Sequence, residues 1–309
     1  MTRLRLALLA LPFLVAGAPA PAQPAKADPG FTHTPDVIYG RKFGTALTMD
    51  VFAPKGKGNG AGVIWCVSGG WFSAKEAINV GFAKPFLDRG YTVFEVVHGS
   101  QPRFTIPEVL DDMHRAVRFV RANADKYGID KDRLGISGGS AGGHLSLMQG
   151  VAPKPGNPKA ADPVEKESSK VAAVACFYPP TDFLNYGKAG EVALGDGTLR
   201  NFKGPFAFVE FDATSRSYVP VLNETARRAI GKQISPAYHA TKDSAPALII
   251  HGDADKLVPI QQAEVMVAAY KTAGATAELV VKPGAAHGWA GLDKDMVKFA
   301  DWFDTHLKK

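Results

Sequence analysis

The chain has 309 residues, 46% of them apolar and 21% charged, with a formal net charge of +6. That length admits one large α/β domain or two small ones, and that balance excludes disorder of the whole. Arg3 and Arg5 supply part of the positive excess and the other basic residues are scattered, which excludes a nucleic-acid footprint.

Met1 to Arg5 is a basic stretch, Leu6 to Ala16 an apolar one, and Ala20-Pro21-Ala22 a small-x-small site. This is the pattern of a cleaved secretory signal over residues 1–22, with a mature start near Gln23 and a secreted or periplasmic destination. An uncleaved anchor is the alternative, but the apolar stretch is too short to span a bilayer, and no later segment is apolar for long enough; stable membrane insertion of the mature protein is not expected. Residues 23–34 read as a mobile Pro/Ala-rich leader, and residues 35–309 as one folded domain.

Asp36 to Tyr39 and Leu47 to Phe52 read as an edge hairpin around a Gly40 to Gly44 turn. Val63 to Val67 is apolar throughout, as a strand covered on both faces requires. A helix is expected over Glu76 to Asp88, a strand over Tyr91 to Val97, and a helix over Ile106 to Lys126, with Pro107 at its start and Gly128 past its end. Leu134-Gly135-Ile136-Ser137-Gly138-Gly139-Ser140-Ala141-Gly142 then runs from a strand into a helix ending near Val151. After the polar loop Pro153 to Lys170 comes a strand over Val171 to Phe177. From Asn185 to Lys232 the pattern dissolves into glycine and aromatic residues, a cap-like insertion. Ala247 to Ile250 and Ala277 to Val281 are strands flanking a helix over Pro259 to Ala273, and a helix over Met296 to Leu307 ends the chain. Alternating strands and helices imply a mainly parallel sheet with helices on both faces.

Cys66 and Cys176 lie inside two of the apolar strands. With one strand between them they stand about 9 to 10 Å apart, beyond disulfide reach, so two free buried thiols are expected.

In such sheets the residues just past the strand ends face the ligand. Ser140 sits there within G-x-S-x-G; His251-Gly252-Asp253-Ala254-Asp255 follows one strand, and Gly284 to Gly288, with His287, follows the last. Serine, acid and histidine in that order are the α/β-hydrolase order. The chain resembles the α/β-hydrolases of the esterase/lipase superfamily, particularly small carboxylesterases related to acetyl xylan and feruloyl esterases and to the catalytic domain of prolyl-oligopeptidase-type enzymes. The resemblance rests on the elbow, the H-G-x-x-D-x-x-V-P string from His251 to Pro259 and the terminal histidine loop, and runs from about Val63 to the C-terminus outside the insertion.

The resemblance implies an α/β-hydrolase fold and a secreted serine carboxylic-ester hydrolase, with a small-molecule or carbohydrate ester as substrate. Ser140 is then the nucleophile, His287 its base and Asp255 the carboxylate that orients the imidazole, with Asp253 the fallback. Backbone N–H groups of Gly69, Gly70 and Ala141 are the expected oxyanion donors. The family's H-G-G-G-W stands here as Val67-Ser68-Gly69-Gly70-Trp71, so its histidine is missing, which puts the support of that loop in question. Trp71 and His98 are candidates for the pocket, while His144 and His251 read as buried structural histidines. The phenylalanines of the insertion either line a lid or acyl pocket or form a small core of their own. Neither a metal nor a cofactor is expected, since the chain has no H-x-x-x-H, paired-cysteine, G-x-G-x-x-G or P-loop pattern. A peptidase or amidase of the prolyl-oligopeptidase kind, without room for an N-terminal propeller, and a non-enzymatic binding protein are the rival readings.

Overall fold

The computed structural model describes residues 30–307; the expected signal and most of the leader lie outside them. In chain order these residues form β1 (Phe31–Lys42), β2 (Thr45–Pro54), β3 (Gly62–Val67), α1 (Val80–Leu87), β4 (Thr92–Val97), α2 (Ile106–Ala122), β5 (Leu134–Gly139), α3 (Ala141–Val151), β6 (Ala173–Phe177), β7 (Val209–Asp212), β8 (Ser217–Pro220), α4 (Glu224–Gln233), β9 (Ala247–Gly252), α5 (Gln261–Ala273), β10 (Ala277–Lys282) and α6 (Leu292–Leu307). Eight strands make one sheet in the order β1-β2-β4-β3-β5-β6-β9-β10. The β1–β2 and β2–β4 pairs are antiparallel, and all others in it are parallel.

The apolar runs occupy the middle. Every residue of β3, β6 and β9 is buried, as a strand sandwiched between helical layers demands. Phe86, Met296, Phe299 and Phe303 of α1 and α6 cover one face; Val109, Met113, Leu145, Met148 and Met266 of α2, α3 and α5 cover the other. Among the described residues no helix is long and apolar enough to cross a membrane. Cys66 and Cys176 are free and buried, with β5 between their strands.

Of the boundaries that depart from expectation, four have local reasons, while the last helix begins four residues early, at Leu292. The leader does not reach Thr34, because Phe31–Thr34 pair with Val51–Pro54 and lengthen the edge hairpin. The first helix starts at Val80 rather than Glu76: Asn79 is its N-cap, accepting the Gly81 N–H, and its own N–H goes to Glu95 instead of a helical carbonyl. Helix α2 stops at Ala122, where the Asn123 side chain donates to Phe119 O at 2.8 Å and competes for the last turn. Within residues 185–232 the chain forms the β7–β8 hairpin and most of α4, neither of which shows as an apolar periodicity because their outer faces are exposed.

Candidate active site

At the end of β5 the chain must turn from strand to helix in almost no space. A Cβ at Gly138 would lie 2.6 Å from the Gly142 carbonyl group, and one at Gly142 2.7 Å from Cys66 O, so only glycine fits. Ser140 at the apex has φ +55° and ψ −120°, a conformation that costs a non-glycine residue about 1–3 kcal/mol. Its N–H donates to Phe177 O at 3.0 Å, fastening the apex to the tip of β6.

The turns after β9 and β10 are sewn together. Asp253 Oδ1 accepts the Gly284 N–H at 2.6 Å, and Ala254 N–H donates to Ala285 O at 3.0 Å. Asp253 therefore holds the histidine loop and is not the carboxylate on His287. Asp255 Oδ1 accepts the N–H groups of Leu257 and Val258, both at 2.9 Å, leaving Oδ2 for His287 Nδ1 at 2.7 Å. A carboxylate can only accept there, so Nδ1 carries the proton and the bare Nε2 accepts from Ser140 Oγ at 3.0 Å. Burial pushes the Asp255 carboxyl up, but His251 and His287, with the Val258 N–H, outweigh it and hold the group well below the ordinary carboxylate range. The structure thus brings Ser140, His287 and Asp255 into one hydrogen-bonded line.

His251 is fully buried, donating from Nε2 to Val258 O at 2.8 Å; it shapes the acid turn and does not reach the cleft. His144 is buried too. It accepts from Trp71 Nε1 at 3.1 Å and donates from Nε2 to Ile234 O at 2.7 Å, and burial lowers its pKa to about 4 despite that carbonyl.

The glycine loop differs from expectation. Gly69 N–H donates to Phe72 O at 3.0 Å and Phe72 N–H returns to Gly69 O at 2.9 Å, closing a tight hairpin with Gly70 (φ +55°) and Trp71 (φ +60°) at its tip. Gly69 is thereby removed from the oxyanion set. The N–H groups of Gly70 and Ala141 have no acceptor among the described residues.

Trp71 and His98 do not line the cleft. Trp71 is 2% exposed, its ring pinned between His144, Phe183 and Phe206. His98 is likewise 2% exposed and faces the back of the loop, where Nδ1 donates to Gly99 O at 2.7 Å and Nε2 accepts from Ser68 Oγ at 2.8 Å. Support for the loop therefore comes from the end of β4: Ser73 Oγ also donates to Val67 O at 2.5 Å and accepts the His98 N–H at 3.2 Å.

The cleft above Ser140 and His287 encloses about 450 Å³, with Trp65, Phe82, Phe177, Tyr178, Phe202 and Leu257 among its walls. Sequence reading missed Tyr178, although its place one residue past β6 is where a site residue belongs. Its ring centroid lies 4.4 Å from that of His287, its φ is +33°, and its N–H donates to Ile250 O at 3.0 Å. Burial and the Asp255 charge push its phenol up to about 12, so it is an un-ionised wall. The insertion lines the cleft and also packs into the domain core, rather than forming a core of its own. Phe202 closes over Gly70 in the cleft, while Phe206 and Phe208 are buried behind it.

The BD-FAE family model matches residues 49–270, more than half of the chain. The chain belongs to the BD-FAE family. This BD-FAE chain is 28% identical over 252 residues to the probable carboxylic ester hydrolase LipM of Mycobacterium tuberculosis, covering 79% of this chain and 53% of that one. It spans about half the length of the first relatives it matches. The structure of a truncated carbohydrate esterase from gut microbiota matches with a TM-score of 0.70 and 27% identity, over 90% of this chain and 99% of the other. An acetyl ester-xyloside bifunctional hydrolase from Caldicellulosiruptor lactoaceticus matches in fold, with a TM-score of 0.69 and 21% identity over 87% and 95%. The fold of this BD-FAE member is the α/β-hydrolase fold.

Proposed function

We propose that this BD-FAE protein is a serine carboxylic-ester hydrolase acting through an acyl-enzyme on Ser140. The observation that carries the reading is the line Ser140 Oγ to His287 Nε2 at 3.0 Å and His287 Nδ1 to Asp255 Oδ2 at 2.7 Å, raised on a strained turn at the floor of a cleft. A serine hydroxyl is a weak nucleophile at neutral pH, so the imidazole takes its proton as Oγ attacks the acyl carbon. The carboxylate holds the imidazole in the required tautomer and stabilises its charge. The oxyanion is received by the Gly70 and Ala141 N–H groups. His287 then returns the proton to the departing alcohol, and water attacks the acyl carbon by the same route in reverse.

An acylated carbohydrate or another small ester is the substrate class we favour. The name of the carbohydrate esterase supports the carbohydrate part and that of LipM the ester part, as do the walls, apolar for the most part with several aromatic rings and a few polar groups at the floor. The same proposal includes export, supported by the residue pattern of 1–22; N-terminal sequencing of the mature protein should begin at Gln23. For the activity, p-nitrophenyl acetate should give a burst of p-nitrophenol equal to the enzyme concentration, and an organophosphonate should label Ser140 alone. A folded protein in which Ser140 stays unlabelled and no ester turns over would remove the reading.

A further inference from the structure

The proton on the Ser68–His98 pair can have only one arrangement. His98 Nδ1 lies 2.7 Å from Gly99 O, and a carbonyl only accepts, so Nδ1 carries the ring proton. Nε2 is then a bare acceptor, and its partner at 2.8 Å, Ser68 Oγ, must donate. Burial, with a smaller contribution from the Lys42 charge, lowers the His98 pKa to about 4 against the pull of the Gly99 carbonyl, so the ring stays neutral across the working range. The Ser68 proton is permanently committed to the rear of the loop.

Ser68 is only partly buried and lines the same cleft as Ser140 and His287. With its proton directed at His98, its oxygen can act toward the cleft as an acceptor and not as a donor. It stands two residues before Gly70, whose N–H is one of the two unpaired donors beside Ser140. The geometry points to Ser68 as a hydrogen-bond acceptor that selects esters carrying a free hydroxyl beside the scissile group, with His98 as the positioning residue that fixes its polarity. This rests on the ester-hydrolase reading and refines it. The loop that lacks the family's histidine has a serine whose lone pairs are offered to a polyol or sugar hydroxyl, whereas a plain alkyl ester or an ether leaves them unpaired.

Two substrates that differ in whether this hydroxyl proton is present or replaced by a methyl group are 2-hydroxyethyl acetate and 2-methoxyethyl acetate. The wild-type protein should prefer the first by about tenfold in kcat/KM. The ratio of the two, rather than either rate, is the readout. Ser68→Ala should bring it close to one, and Ser68→Thr, which keeps the hydroxyl, should preserve it. His98→Phe frees the Ser68 proton to serve an ether oxygen, so the ratio should fall to one or below; His98→Gln, whose side-chain oxygen can still accept, should retain the preference and guards against a packing defect in the Phe variant. A wild-type ratio near one, or a tenfold ratio that survives Ser68→Ala, overturns the assignment. Turnover of neither acetate, with Ser140 unlabelled by organophosphonate, would instead sink the ester-hydrolase reading and this inference with it.

Discussion

Glu95 gives a quantitative test of how the molecule responds to pH. It sits on β4 opposite Asp50 of β2, fully buried, with Oε2 accepting the Asn79 N–H at 2.9 Å and Oε1 without a partner among the described residues. Burial drives its carboxyl up, the Asn79 N–H pulls it part of the way back, and the Asp50 charge pushes it up again, to about 7 from an ordinary 4.5. Between those values the folded chain holds a proton that the unfolded chain has released, so stability falls as pH rises through this window and is flat above it. At about 1.4 kcal/mol for each pH unit the full effect is about 3 kcal/mol, of which about 2.5 kcal/mol falls between pH 5 and pH 8. Glu95→Gln removes the titration while keeping the shape. Urea unfolding of both proteins at pH 5, 6, 7 and 8 should show the Gln variant gaining about 2.5 kcal/mol relative to wild type across that range, whatever fixed offset the amide introduces. A difference that is constant with pH, or one that grows toward acid, refutes the reasoning.

Three further outcomes follow from the site and the core. Asp255→Asn should lower kcat/KM on p-nitrophenyl acetate by about 10⁴-fold, because the amide can no longer fix the His287 tautomer; thermal unfolding of the same sample checks that the fold survives. Gly69→Ala should stay within about tenfold of wild-type turnover, since its N–H is engaged by Phe72 and nothing lies within 4 Å of an added Cβ. Gly70→Ala should lose 10²-fold or more, because φ is +55° and the Cβ would meet the Phe202 ring at 2.4 Å; assays of the pair in parallel test whether turnover depends on the backbone geometry at Gly70 and not at Gly69. Cys66 and Cys176 should react with a thiol reagent only after denaturation, since burial pushes Cys66 up to about 12 and Cys176 higher still; rapid labelling of either in the native protein would contradict their placement.

The parts of this molecule that could be read in its sequence are those where one requirement dominates. Val63–Val67 and Ala247–Ile250 are apolar because both faces of their strands are covered, and Gly138 and Gly142 are glycine because the elbow leaves no room for a Cβ. The order of Ser140, Asp255 and His287 told where the three loops converge, since strand ends in a parallel sheet share one rim. Sequence does not separate Gly69 from Gly70, because a backbone N–H looks the same there whether it is spent on Phe72 or free for a ligand. Nearness to strand ends makes Trp71 and His98 pocket candidates, but φ +60° at Trp71 goes with a ring turned inward and two hydrogen bonds hold His98 behind Ser68. Tyr178 carries no motif at all. Its role depends on a ring contact with a residue 109 positions away, which no local pattern encodes.

The buried chain from Trp71 through His144 to Ile234 has a consequence for how the site is entered. It joins the turn beside Gly70, the helix that follows Ser140 and the residue that caps α4, and Phe206 packs on the same Trp71 ring, so the wall formed by residues 185–232 is anchored to the frame that carries Ser140. Taken as an ester hydrolase, a protein held in this way should keep its mouth open in bulk water and gain nothing from an oil droplet. Its velocity should climb as a plain hyperbola with dissolved ester and pass the solubility limit without a jump, the behaviour that separates it from lipases that must first be prised open at an interface.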